Sequence, residues 1–254
     1  MAEAPAYLIL GRGRWAQRMH PIIAGESRRV SMIEETRRRR AENDSAYLSR
    51  LADAMKSSGA QIAWLCVAPG PHVSLMIQAA LEAGLHVVVE KPWFGSPGDT
   101  QRLQSLARDR HRLIAVHFEY LLLESVANWK KTFYPGAGLR FGGRFFQGRP
   151  DRSGISALDN LGCHLFSIYE YAVPSAEIGD VDCSYERPDE RLVWLEKSGE
   201  RISAINLFQD SGNIIQNFMK KVEAALTSAA FPFDLDFALR VANRLNENRI
   251  RNPR

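Results

Sequence analysis

Four consecutive apolar residues, Tyr7-Leu8-Ile9-Leu10, run straight into Gly11-Arg12-Gly13-Arg14-Trp15-Ala16. A buried run, a glycine turn and a mixed segment in that order predict a strand, a tight turn and a helix. The alternation then repeats. Val30-Ser31-Met32-Ile33 predicts a second strand, 47–56 a helix, 62–67 a buried strand, and 73–83 an amphipathic helix stopped by Gly84. A strand closing in Val87-Val88-Val89-Glu90-Lys91-Pro92 follows, then a helix over 99–110 and a strand over 113–118. Strands separated by helices in this way make a doubly wound parallel sheet.

Beyond Tyr120 the pattern changes. A helix over 124–132 gives way to Gly- and Pro-rich loops and then to alternating segments at 140–146, 181–185, 191–195 and 202–207, which predict a small antiparallel sheet. Helices over 213–227 and 234–246 close the pattern. The expected fold class is therefore α/β: a Rossmann domain over 1–120 followed by a small α+β open-sheet domain over 121–254.

The glycine turn has the residue types a dinucleotide needs. Gly11 permits the tight turn, Gly13 lets backbone N–H groups approach a pyrophosphate, and Ala16 is small enough for close helix-to-strand packing. Arg12, Arg14 and Trp15 complete the candidate cradle, and the helix that follows presents its positive end to the phosphates. A tight strand-to-helix turn with no ligand uses similar residues. The ribose reader belongs at the end of the second strand, where Glu34 and Glu35 stand; Glu35 is preferred, with Glu34 next to it. In the following run, Thr36-Arg37-Arg38-Arg39-Arg40, Arg37 could neutralise a 2′-phosphate, and the rest read as a solvated helix start. The expected cofactor is NADP(H) in preference to NAD(H).

The 254 residues suffice for one large or two modest domains, and a net charge of +4 suits an anionic cofactor without calling for nucleic acid. Cys66, Cys163 and Cys183 lack metal-ligand spacing, so they read as reduced thiols of a cytoplasmic protein with no metal. No run has membrane-spanning length, and the first apolar run is too short for a secretion signal.

Several motifs together resemble one family. In order they are the glycine turn, Val67-Ala68-Pro69-Gly70-Pro71-His72, the stretch from Ala79 to Pro92 ending in Glu90-Lys91-Pro92, and Val116-His117-Phe118-Glu119-Tyr120. The chain is similar in these to the glucose–fructose oxidoreductase and inositol dehydrogenase (Gfo/Idh/MocA) family, densely over its first half and more thinly afterwards. The resemblance implies a nicotinamide-dependent oxidoreductase acting on a small molecule, commonly a sugar or cyclitol. It also implies that Lys91 binds and polarises the substrate oxygen, that His164 exchanges its proton, and that Pro69, His72 and Glu90 lie at the cofactor.

This sequence departs from the family pattern at several places. Four residues before His164 stands Asn160 in place of an acid, with Asp159 beside it; an amide can orient a hydroxyl but cannot raise the basicity of an imidazole. Either Asp159 takes the role, or the proton relay is modified, or alcohol chemistry has been lost. The Pro69-to-His72 loop is one residue shorter than the pattern, Leu121 replaces a common Arg, and the second domain is small. The last feature predicts an open site or one completed in a homo-oligomer. The readings carried forward are hydride transfer to or from a hydroxyl, carbonyl or imine carbon, an imine reductase as a variant, and a non-catalytic dinucleotide-binding sensor or scaffold.

Overall fold

A computed structural model describes residues 4–25, 28–133, 138–149, 154–210 and 212–251. These fall into two compact units, 1–117 with 219–239, and 118–218 with 240–254.

The first unit is built on five parallel strands in the order β2-β1-β3-β4-β5: β1 (Tyr7–Leu10), β2 (Val30–Ile33), β3 (Ile62–Leu65), β4 (His86–Val89) and β5 (Ile114–Val116). β1, β3, β4 and β5 are buried along their whole length, which is why each reads as an unbroken apolar run rather than an alternating one. Helices α1 (Arg14–Ala24), α2 (Asp44–Ser57), α3 (His72–Glu82) and α4 (Pro97–Asp109) connect the strands. The strand order reverses between β1 and β3, and ligands of such sheets bind outside the carboxyl ends at that switch point. His86 accepts the Leu113 N–H at 3.1 Å on Nδ1; burial, helped by the charge of Arg112, pushes its pKa down to about 4, so the acceptor nitrogen stays unprotonated.

The second unit contains a four-stranded sheet in the order β7-β6-β8-β9, formed by β6 (Leu139–Phe146), β7 (Glu177–Ser184), β8 (Glu190–Lys197) and β9 (Glu200–Asn206). It is mixed, not antiparallel as the alternation predicts, because β6 and β7 run parallel while β6–β8 and β8–β9 are antiparallel. The cause is α6 (Ala157–Ala172), a sixteen-residue crossover between β6 and β7 that the pattern did not reveal. Eleven of its residues are buried, so it shows no polar stripe from which a helical period could be read. β8 and β9 form a hairpin whose two turn residues, Ser198 and Gly199, both have positive φ, as a twisted two-residue turn requires. α5 (Glu124–Thr132) precedes β6, and the short α7 (Leu207–Asp210) follows β9.

The closing helices are α8 (Ile214–Ala224) and α9 (Leu235–Arg251). Residues 219–239, which the sequence assigns to the second domain, pack with the first unit. Tyr7 donates to Glu223 at 2.8 Å, Arg28 grips the same carboxylate at 2.7 and 3.1 Å, and the Val116 N–H donates to the Phe233 carbonyl at 2.7 Å. An amphipathic helix advertises an apolar face in its sequence but not the surface that covers it.

Candidate functional site

Gly11 occupies a conformation closed to other residues, φ +127°, and a Cβ there would lie 2.4 Å from the Cys66 carbonyl oxygen. Its glycine is therefore demanded by the close approach of β1 and β3 at the switch point. Its N–H donates to the Ile33 carbonyl at 3.0 Å, which ties the turn to the end of β2. At Gly13 a Cβ would meet nothing within 4 Å, so the space over the helix start is open. Gly13 is the N-cap of α1 and supplies no side-chain cap, and the first turn carries no acid. α2, α4 and α6 are capped by Asn43, Ser96 and Ser156, whereas α3 and the helix over Glu124–Thr132 start, like α1, without a side-chain cap. The uncapped N–H groups of α1 are thus directed where an anion would be bound, and Arg12 and Arg14 are exposed beside them. Ala16 is fully buried, as its packing role requires.

Glu34 and Glu35 are the first two residues past β2, and both are exposed. The arginine run does not start a helix; it forms a loop before α2, held from within. Glu42 accepts from Arg50 at 2.8 and 3.1 Å and from the Arg39 N–H at 2.9 Å. Tyr47 donates to the Thr36 carbonyl at 2.7 Å, and Arg50 donates to the Arg37 carbonyl at 3.0 Å. Arg38 pairs with Asp44 at 2.6 Å and Arg39 with Glu35 at 3.7 Å, whereas the Arg37 side chain is exposed.

Glu90 is at the carboxyl end of β4, where its Oε1 receives the Trp15 indole N–H at 2.6 Å and the Trp64 indole N–H at 2.8 Å, with His117 Nδ1 at 3.1 Å. Burial raises the Glu90 pKa, but the charge of His117 and the hydrogen bonds from His117, Trp15 and Trp64 outweigh it, so the net direction is down and the group stays ionised. The Trp64 and His117 rings meet edge to face, 5.1 Å between centroids. One buried carboxylate thus joins α1, β3, β4 and the end of β5. Burial pushes the neighbouring Cys66 thiol well up, reinforced by the Glu90 charge, and Cys66, Cys163 and Cys183 are not joined in disulfides. Lys91, the next residue after Glu90, is half-buried, and its bond to Pro92 is cis. A shallow pocket beside it is lined by Val67, Pro69, Gly70, Glu90, Trp93 and Phe94. His72 is exposed at the first turn of α3.

The remaining candidates belong to the second unit. Asn160 and His164 are buried one turn apart on α6. Asp159 is not the carboxylate of His164: it accepts from the Ser156 hydroxyl at 2.7 Å and is bound by Arg249. The carboxylate facing His164 is Glu119, whose Oε1 lies 4.0 Å from Nε2, with the side chains 14% and 7% exposed. Glu119 and Tyr120 sit on a single 3-10 turn, Glu119–Leu122, directly after the strand expected over 113–118. The Tyr120 ring meets His164 edge to face at 4.9 Å, and Phe145 stacks on it at 6.3 Å. Among the described residues, no group of three or more His, Cys, Asp or Glu could hold a metal, and no helix is long and apolar enough to cross a membrane.

Comparison with known proteins agrees with the first unit. Residues 6–118 match the Gfo/Idh/MocA profile, described as an oxidoreductase family with an NAD-binding Rossmann fold. Over 68 residues the chain is 29% identical to the uncharacterized oxidoreductase YfiI of Bacillus subtilis (strain 168); this spans 27% of the chain and only 17% of that relative. Among solved structures, UDP-N-acetylglucosamine 3-dehydrogenase GnnA from Acidithiobacillus ferrooxidans superposes with TM-score 0.74 at 13% identity, covering 96% of each chain. GenD2 from gentamicin A biosynthesis, in complex with NAD, gives 0.73 at 13% identity, covering 97% of this chain and 93% of its own. An inositol dehydrogenase homolog from Azotobacter vinelandii, complexed with NADH and myo-inositol, gives 0.64 at 13% identity, covering 95% and 94%. At such identities these structures speak for the fold. Residues 6–118, with their glycine turn and Glu-Lys-Pro strand end, are thus similar to the Gfo/Idh/MocA family of NAD-binding oxidoreductases.

Proposed function

We propose that the protein is a nicotinamide-dependent oxidoreductase acting on a small molecule. The observation that carries this reading is the open, uncapped start of α1 at the switch point of a sheet whose next strand edge bears Lys91. The dinucleotide would be held by the N–H groups following Gly11 and Gly13, with Arg12 and Arg14 beside its phosphates and Glu34 or Glu35 on the adenosine ribose. When bound, it supplies a hydride acceptor or donor. Lys91 polarises the substrate heteroatom through its ammonium, and His164 exchanges the proton.

NADP(H) is the preferred form in this reading. Arg38 and Arg39 are occupied by acids, while Arg37 is exposed and its backbone is anchored by Arg50, so its guanidinium can be committed to a 2′-phosphate. The amide at Asn160 is compatible with a variant substrate, an imine, which needs hydride and one proton but no base to remove a hydroxyl proton, and equally with an alcohol if another acid supports His164.

Titration with NADPH and NADH, followed by quenching of tryptophan fluorescence in the wild type and in Arg37→Ala, tests the reading. The expected result is NADPH binding that weakens about tenfold or more in the variant while NADH affinity changes little, as loss of a charged hydrogen bond predicts. Binding of neither nucleotide would leave a scaffold on an inherited fold.

A further inference from the structure

We propose that Glu119 replaces the family's acid as the partner of His164, restoring the basicity that Asn160 cannot provide, and that the pair handles the proton of an alcohol hydroxyl. This rests on the reading of His164 as the proton exchanger.

The geometry points to Glu119 from three sides. Position 160 carries an amide, and the adjacent carboxylate of Asp159 is held at the helix start by Ser156 and Arg249. Glu119 Oε1 is 4.0 Å from His164 Nε2, longer than a hydrogen bond but within the range where an opposite charge acts strongly, and both side chains are largely out of water. The imidazole is also fixed in orientation, its face on Phe145 and its flank on the edge of Tyr120.

The 3-10 turn contributes Glu119 and Tyr120 to the surroundings of the ring, and β6 contributes Phe145, whose ring centroid is 5.3 Å from the Arg191 guanidinium of β8. β7 brings Cys183 against the same helix at Gly162. Glu119 favours the imidazolium that forms when the ring takes a proton. Glu119 is a positioning residue in this account, since it acts through His164 rather than on the substrate.

The consequence is a choice of substrate class. In the oxidising direction the O–H proton of a secondary alcohol passes to the imidazole, forming an imidazolium opposite Glu119, while the hydride on the same carbon leaves for the oxidised nicotinamide dinucleotide. The products are a ketone, the reduced dinucleotide and protonated His164, which returns its proton to solvent. Reduction runs the same steps backwards. A carbon–nitrogen double bond makes no such demand, so a carboxylate aimed at His164 selects the alcohol–ketone pair over the imine.

The test is an NMR titration of the histidine side chains in isotope-labelled, full-length protein without ligand, with the His164 signals assigned by their loss in His164→Gln. Glu119→Gln should lower the His164 pKa by about one to three units. Glu119→Asp, which keeps the charge at slightly longer reach, should lower it less, and Asp159→Asn should leave it in place. An unchanged His164 pKa in Glu119→Gln overturns the pairing. Because no nucleotide is present, failure here is separate from failure to bind NADPH or NADH. For the substrate class, NADPH or NADH oxidation is followed against cyclic ketones and cyclic imines: turnover of ketones that Glu119→Gln depresses supports the assignment, and turnover confined to imines overturns it.

Discussion

Glu90 shows how one side chain can fix a site's frame. Three donors converge on a single carboxylate oxygen, and two of them, Trp15 and Trp64, come from the glycine-turn helix and the strand beyond the switch point. The charge holds the start of α1 against the strand end that carries Lys91. Removing one partner of a buried pair leaves the other charged and unsolvated, so Glu90→Ala should lose on the order of 3 kcal/mol in urea unfolding. Its effect on nucleotide affinity should exceed that of substituting the exposed His72; equal stability to wild type would refute the role. This was only half legible in the sequence. Glu90 stands out beside Lys91, but nothing local announces that Trp15 and Trp64 reach it. The same limit hid Glu119: it lies forty-five positions from His164, and only the fold brings a 3-10 turn against a helix. Gly11 was legible in kind, although the neighbour that demands it is the Cys66 carbonyl.

Among the elements, the loop between β2 and α2 is gathered most closely around Glu42, which accepts from Arg50 and from the Arg39 N–H. The Arg50 side chain first, then the Arg39 backbone N–H, hold the Glu42 carboxyl down to about 2, from 4.5. A carboxyl whose folded pKa is depressed contributes its full share above the unfolded value and loses it as the pH falls toward the folded one. The difference in stability between wild type and Glu42→Gln should therefore be constant above about pH 4.5, shrink below it, and vanish near pH 2. Thermal unfolding across that range measures it, and a difference independent of pH would mean that Glu42 acts only through packing. The sequence presented this stretch as a charge run, and charge alone did not say that two of its arginines face acids while Arg37 does not. The strands of the first unit were readable because continuous burial gives continuous apolar runs. α6 was not, because burial on nearly all sides erases the helical period.

For the molecule as a whole, the division into units does not follow the order of the chain. The first unit takes back residues 219–239, secured by Glu223 under Tyr7 and Arg28 and by the Phe231–Phe233–Phe237 aromatic cluster. Arg28 and Glu223 are 6% and 18% exposed, so Glu223→Ala should destabilise the first unit by about 3 kcal/mol. Hydrogen exchange would localise that loss to β1 and its neighbours, although Glu223 lies 216 positions from Tyr7 in the chain; faster exchange confined to α8 would show that the return is only superficial. α9 begins in one unit and continues into the other, since residues up to 239 belong to the first and residues from 240 to the second. On the ribosome the nucleotide-binding half would emerge first yet wait, unfinished, until the two closing helices have left the exit tunnel. Chaperone engagement should persist until then, and a stop codon just before α8 would yield neither half in finished form.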